Sequence, residues 1–350
     1  MPPARRPPVT RRVLVTGGSG YFGSVLVDLA HARGDTVRVF DLAPPARPDV
    51  VEFVPGDVRD REALRGACEG VDVVFHNVAQ VPLAKDHRLF QSVNVVGTAN
   101  LLVAARGASV AKVVHTSSSA VFGIPESNPV REDSPRHPLE DYGRAKLEAE
   151  LLCEEAVAAG QDITIIRPRT IMGHGRLGIM AVLFDFVADG APVYLLGKGT
   201  NRYQFVHAND LADACLRAGD RPGAAVYDVG AAEFGTMRDT LQALVDHAGT
   251  GSHVRSLPVA PARAAMQALA RLGLAPFAPY HWLLYSESLW FDVSRAEDEL
   301  GWRAEHSNIS MLNESYDWFL AHRDELAGSG GSRHQSPARL GLLRLLKRLP

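Results

Sequence analysis

Tyr142 and Lys146 stand four residues apart in Tyr142-Gly143-Arg144-Ala145-Lys146, and on a helix that spacing places two side chains on one face. An ammonium beside a phenol lowers the phenol's pKa, which makes Tyr142 an acid/base candidate near neutral pH. Taken alone, Tyr-x-x-x-Lys is a common accident. It becomes specific beside the hydroxyl-rich strand end Thr116-Ser117-Ser118-Ser119, where one hydroxyl could bind a carbinol or carbonyl oxygen next to the phenol.

These groups need a partner that carries electrons, and the N-terminal region offers one. The apolar strand Val13 to Thr16 runs into glycines at 17, 20 and 23 and then into a helix over Val25 to Arg33. Gly17 permits a tight turn, Gly20 lets backbone approach phosphates, and Gly23 lets the helix pack on the strand. The helix amides then face a pyrophosphate. Asp41 closes the next strand, Thr36 to Phe40, 18 residues beyond Gly23. A carboxylate there accepts from ribose hydroxyls and repels a 2′-phosphate, favouring NAD over NADP, although Arg38 and Arg47 lie near enough to admit that phosphate. A third strand, Val51 to Pro55, leads to Gly56-Asp57-Val58, where Asp57 could accept from an adenine amino group or simply form a turn.

The elements that must hold these residues alternate. Strands at Val71 to His76, Lys112 to Thr116 and Ile163 to Arg167 are separated by helices around Phe90 to Arg106 and Leu139 to Ala159. That order predicts an α/β fold with a doubly wound parallel sheet of Rossmann type. After Pro168 the pattern shortens, with helices near Asn209 to Ala218, Thr236 to Ala248, Pro261 to Leu272 and Ser310 to Phe319. The expected organisation is a disordered lead-in over 1–11, a dinucleotide-binding domain over 12–168 rejoined by about 200–230, a smaller C-terminal substrate-binding lobe over 169–325, and a linker with a basic amphipathic tail over 326–350.

A chain of 350 residues with 46% hydrophobic content can bury a large core, and its net charge of −3 gives no electrostatic case for nucleic acid. Cys68, Cys153 and Cys215 are too scattered for a disulfide framework or zinc site and point to a reducing cytoplasm. No histidine spacing indicates a metal. There is no secretory signal and no run of 18 apolar residues. The tail Ala338 to Leu349 could touch an anionic membrane weakly, or pack on its own domain or fray.

Together these segments resemble the extended short-chain dehydrogenase/reductases of the NAD-dependent epimerase/dehydratase type, over roughly 12–322. Further markers are Phe75-His76-Asn77-Val78-Ala79, Asn94-Val95-Val96-Gly97-Thr98, Val121-Phe122-Gly123, Arg167-Pro168 and Phe205 to Ala212. The resemblance implies that Tyr142 is the acid/base, that Lys146 holds the nicotinamide ribose and tunes Tyr142, and that Ser118, four residues before Phe122, binds the substrate oxygen. It implies cofactor contacts from Gly17, Gly20, Tyr21, Phe22, Gly23, Asp41, Asp57, Val58, Asn77, Ala79, Ser117, Tyr142, Lys146, Arg167 and Pro168. Substrate contacts are expected from Gln80, Ser119, Thr170, Arg202 and Tyr203, and a homodimer is expected through the helices carrying Phe90 to Arg106 and Tyr142 to Ala159.

Departures from the family pattern narrow the reaction. The Asp-Glu pair of sugar-nucleotide 4,6-dehydratases is Ser119-Ala120 here, which argues against dehydration. One arginine of the usual diphosphate clamp is replaced by Tyr203, and the second region reads Tyr285-Ser286-Glu287-Ser288; Arg169, Arg176, Lys198 and Arg202 remain as other cations. The apolar stretch Leu272 to Tyr285 is similar to the lipophilic lid of 3β-hydroxysteroid dehydrogenase relatives, or is lobe core or a dimer contact. Two enzymatic readings stand: epimerisation of a sugar or nucleotide-sugar-like substrate, and net oxidation or reduction of a lipophilic alcohol or ketone. A non-catalytic NAD-binding scaffold would have no need of Tyr142 and Lys146. His207 is expected to be structural.

Overall fold

A computed structural model describes residues 11–80, 87–175, 179–272 and 285–326. The expected linker and tail, and most of the apolar stretch after Leu272, lie outside these. Within them the strands are β1 (Arg12–Thr16), β2 (Thr36–Asp41), β3 (Glu52–Pro55), β4 (Val73–His76), β5 (Lys112–Thr116), β6 (Ile163–Pro168), β7 (Thr170–Met172), β8 (Val193–Leu196), β9 (Phe205–His207), β10 (Ala225–Val229) and β11 (Val254–Leu257).

Seven of them form one sheet in the order β10-β6-β5-β4-β1-β2-β3, with every neighbouring pair parallel. The central strands are apolar on both faces: Val13, Leu14 and Val15 are fully buried, as are Val74 and Phe75 of β4. Helices must therefore cover both faces, and continuous rather than alternating apolar runs are what a parallel interior requires. One layer is Tyr21–Ala32 with Ala208–Asp220; the other includes Arg61–Cys68, Gly97–Gly107 and Asp141–Ala158.

The chain moves outward in one direction from β1 to β3 and then returns to place β4 on the other side of β1. Between β1 and β4 the winding reverses, so the loops at their carboxyl ends diverge and leave a crevice. Gly17, Asp41, Asn77 and Thr116 all occupy that edge.

The chain beyond Pro168 is interleaved with the sheet. β10 is its outermost strand, and Ala296 and Trp302 pack with the core beneath β1. The remaining lobe has a core of its own, including Met172, Phe184, Tyr203, Leu244 and Tyr316, with β8 paired to β11 and β7 to β9. The short strands β7 to β9 and β11 carry too little sequence pattern to be read in advance. The predicted helix from Phe90 opens with a π-helical segment over Phe90–Val96 before turning α-helical at Gly97. That segment carries Asn94, whose amide accepts from Gln80 N at 2.7 Å and donates to Gln80 O at 3.2 Å, tying the loop after β4 to it.

Candidate active site

Gly17 leaves β1 at φ +73°, and a Cβ on Gly23 would lie 2.0 Å from the Gly17 carbonyl oxygen. No other residue allows the helix Tyr21–Ala32 to begin this close to the strand. The loop borders a cleft of about 630 Å³ whose wall also includes Gly20, Tyr21, Phe22, Gly23, Asp41, Asp57, Val58, Asn77, Ala79, Gln80 and Ser117.

Asp41 accepts from Ser19 N at 3.1 Å and Ala43 N at 3.2 Å, which fixes its carboxylate at the end of β2. Arg38 donates to the Ala67 and Glu69 carbonyls at 2.8 and 2.9 Å and pairs with Glu52, while Arg47 faces Asp28. Arg38 is thus held by these partners, whereas Arg47 is exposed and only loosely paired at 3.8 Å. Arg59 holds Asp57, and that hydrogen bond lowers the carboxyl's pKa, keeping it an acceptor. Asn77 accepts from Thr116 Oγ1 at 2.5 Å, while its buried Nδ2 has no acceptor among the described residues. A buried donor left over at the cleft wall, a glycine cradle and a ribose-side carboxylate fit a dinucleotide.

The groups expected to react come from three elements. Glu140 caps the helix Asp141–Ala158 by accepting from Tyr142 N at 2.9 Å and Gly143 N at 2.8 Å, which sets the first turn. A Cβ on Gly143 would meet the Ala120 carbonyl oxygen at 2.6 Å, so the helix is pressed directly against the serine loop. Tyr142 packs edge-on to Phe90 with ring centroids 6.3 Å apart. Lys146, 2% exposed, donates from Nζ to the Thr116 carbonyl at 2.8 Å. Burial pulls its pKa down to about 8.

Ser118 caps the short 3-10 turn Ser119–Phe122, its Oγ accepting from Ala120 N at 3.2 Å. An oxygen used as an acceptor leaves its own O–H free to donate into the cleft. Ser119 Oγ instead accepts from Arg169 Nη1 at 2.7 Å. Tyr142, Lys146, Ser117, Ser118 and Ser119 all line the same cleft as the glycine loop, with Pro168 and Thr170 completing that side.

Three expected contacts fall elsewhere. Arg167 is absent from the cleft wall: its Nε and Nη2 form a bidentate pair with Glu150 at 2.9 and 2.8 Å, both residues being essentially buried. Arg136 shares that carboxylate, and Arg167 also lies over the Phe122 ring at 5.0 Å. Arg167 therefore braces the helix Asp141–Ala158 and the serine loop from behind the cleft wall. Arg202 is exposed and lies over the Phe234 and Trp290 rings at 4.7 and 4.6 Å. Tyr203 is 1% exposed and stands behind the cleft wall, its hydroxyl bonding Thr170 Oγ1 at 2.9 Å. Conversely, Arg59 and Met180 line the cleft without having been assigned contacts there, as do Arg169, expected only as one of several spare cations, and Tyr285, expected only as the end of the apolar stretch. Nothing local to these residues distinguishes them from surface or core.

His207, His306 and Glu314 bring their polar atoms within 4.8 Å of one another. His207 Nδ1 accepts from Asn209 N at 3.2 Å to cap the helix Ala208–Asp220, which leaves the ring proton on Nε2, 2.8 Å from Glu314 Oε1. A protonated ring nitrogen is a donor rather than a metal ligand. His207 thus caps the helix Ala208–Asp220 through Nδ1.

Residues 13–230 match the sequence model of the NAD dependent epimerase/dehydratase family. The chain belongs to this family. NAD is the family's cofactor, and the cleft described above is built for it. Among relatives, an uncharacterised protein (y4nG) of Sinorhizobium fredii is 49% identical over 97% of this chain and 86% of its own. A UDP-glucose 4-epimerase of Mycolicibacterium smegmatis is 34% identical over 61% of this chain and 74% of its own. A 4-hydroxy-2-methyl-3-oxo-4-farnesyl-3,4-dihydroquinoline-1-oxide ketoreductase of Stigmatella aurantiaca is 29% identical over 83% of this chain and 91% of its own. Among the described residues, no helix of this family member is long and apolar enough to cross a membrane.

Proposed function

We propose that the protein moves a hydride at a secondary alcohol or ketone carbon, and that its net reaction is epimerisation of a sugar or nucleotide-sugar-like substrate. The observation that carries this is the convergence of Tyr142, Lys146 and Ser118 on the wall of the cleft that the glycine loop and Asp41 also form. Bound NAD supplies the site with a reversible hydride acceptor.

The chain's own residues do the rest. Ser118 donates its O–H to the substrate oxygen and orients the carbinol. Tyr142 takes the hydroxyl proton as the carbon gives up its hydrogen, and returns it when the ketone is reduced. Lys146 lies one helical turn along, and its positive charge favours the phenolate form of Tyr142. For epimerisation the ketone must present its other face before the hydride returns.

Net oxidation or reduction of a lipophilic alcohol or ketone is the second reading, favoured by Tyr203 standing where a clamp arginine is expected and by the apolar wall of Val93, Ile171, Met172 and Met180. The ketoreductase relative spans more of this chain than the epimerase relative does. In either case we propose a homodimer built on the helices Gly97–Gly107 and Asp141–Ala158, which leave Val103 71% and Leu151 43% exposed.

The test is the cofactor state of the purified protein. Denaturation that releases one equivalent of NAD(H), with hydride kept on the enzyme during turnover, is expected for an epimerase. Empty protein that binds NAD reversibly and accumulates NADH with an alcohol overturns epimerisation in favour of the second reading.

A further inference from the structure

Arg169 follows Pro168 at the end of β6 and lines the cleft, yet it is only 2% exposed. Its guanidinium donates through Nη1 to Ser119 Oγ at 2.7 Å and lies over the Tyr203 ring at 4.8 Å, with Phe291 at 5.6 Å. The contrast with Arg167, two residues earlier, is sharp. Arg167 has the Glu150 carboxylate on its two-donor edge. The corresponding edge of Arg169, Nε with Nη2, is buried and has no acceptor among the described residues. Asp228, on neighbouring β10, is near enough to interact with Arg169 through charge, but neither of its carboxylate oxygens hydrogen-bonds that edge. A buried cation with one neutral hydrogen bond is destabilising unless an anion completes it.

The position of the vacancy identifies the anion. Arg169 is anchored to Ser119, the residue directly after the proposed oxygen-binding Ser118, and consecutive Cα atoms are about 3.8 Å apart. An acidic group on Arg169 would therefore sit on the side of the cleft formed by the serine loop that carries Ser118 and Ser119. A diphosphate on a sugar's anomeric carbon stands a ring's width from a carbinol across the ring. A carboxylate on the adjacent or next carbon is close enough, and its two oxygens match the fork of Nε–H and Nη2–H.

We propose that Arg169 is a carboxylate-recognition residue, and that the substrate is a hydroxy or oxo acid whose carboxylate lies one or two carbons from the reacting carbon. This rests on the hydride-transfer reading above for the location of that carbon.

The test titrates NAD-loaded protein with two matched pairs, D-glucuronate against D-glucose and 3-hydroxydecanoate against 2-decanol, following affinity and hydride transfer separately. At least one acid is expected to bind about tenfold or more tightly than its neutral partner, the worth of a bidentate charged pair. That preference is expected to vanish in Arg169→Gln and to shrink in Arg169→Lys, which keeps the buried charge but loses the two-donor edge. NAD affinity, measured in parallel, reports folding; if Arg169→Gln no longer binds NAD, Arg169→Lys decides. Equal affinity for acid and neutral partners in the wild type, or an undiminished preference in the deciding variant, overturns the proposal. An acid preference that depends on Arg169 without any hydride transfer supports the subsite and overturns the hydride-transfer reading instead.

Discussion

Lys146 Nζ lies 2.8 Å from the carbonyl oxygen of Thr116, joining the helix Asp141–Ala158 to the end of β5. The bond fixes the ammonium beneath the serine loop and sets the height of Tyr142, one turn earlier on the same helix. Most of the site's behaviour follows from this junction.

Tyr142→Phe removes the only atom proposed to exchange a proton with substrate while leaving the ring's packing on Phe90. Turnover is expected to fall by about 10²-fold to 10⁴-fold with NAD affinity unchanged. Steady-state kinetics with a parallel NAD titration checks it, and near-normal turnover would sink the assignment.

Ser118 and Ser119 should separate cleanly. Ser118→Ala removes the hydroxyl proposed to bind the reacting oxygen and is expected to lower kcat by about 10²-fold. Ser119→Ala removes the partner of Arg169 and is expected to act mainly on KM. Comparable kcat losses in both would show that the register of the loop has been misassigned.

Asp41→Ala deletes the carboxylate expected at the ribose hydroxyls. The NAD dissociation constant should rise by about 10-fold to 100-fold, as for other hydrogen bonds to a charged group, and discrimination against NADP should narrow. Titration of both dinucleotides into stripped protein measures this.

Gly143→Ala places a methyl 2.6 Å from the Ala120 carbonyl oxygen, a contact that must be relieved by moving the helix from the serine loop. We expect a loss of about 1–3 kcal/mol of stability together with a drop in kcat. Chemical denaturation and kinetics on the same preparation test both; an unchanged melting curve would mean the helix is not pressed against the loop.

Acid should destabilise the fold through two neighbouring buried histidines beneath the site. His76 is fully buried between Thr16 Oγ1 at 2.8 Å and Thr98 Oγ1 at 3.0 Å, and burial, with the charge of Lys146 adding, holds its pKa at about 3. His115, 5.4 Å from it by ring centroid, is also pushed well below its ordinary value by burial. Both stay neutral in the native state, whereas the unfolded chain protonates them below about pH 6.5. The unfolded state then binds more protons, so stability present above pH 6.5 is lost as pH falls toward 3, by about 1.4 kcal/mol per pH unit for each histidine. Urea unfolding between pH 7 and 4 should show that slope, and His76→Asn should flatten it.

Residues close in the chain carried much of this in their spacing. The glycine turn, Asp41 and the Tyr142 to Lys146 pair were legible because a strand, a tight turn and a helix each impose a short period, and the alternation of strands with helices implies a parallel sheet. Lys146 was expected to tune Tyr142; its seat on the Thr116 carbonyl joins positions 30 residues apart. The role of Arg167 went unread because its partner, Glu150, is supplied by a different element and only packing brings them together. Arg167 has a carboxylate on its two-donor edge and Arg169, among the described residues, has none there, and no local pattern encodes that difference. Spacing along the chain selects backbone conformation and the face a side chain occupies. Which buried charge is neutralised, and which is left waiting for a ligand, depends on segments that meet only when the sheet closes.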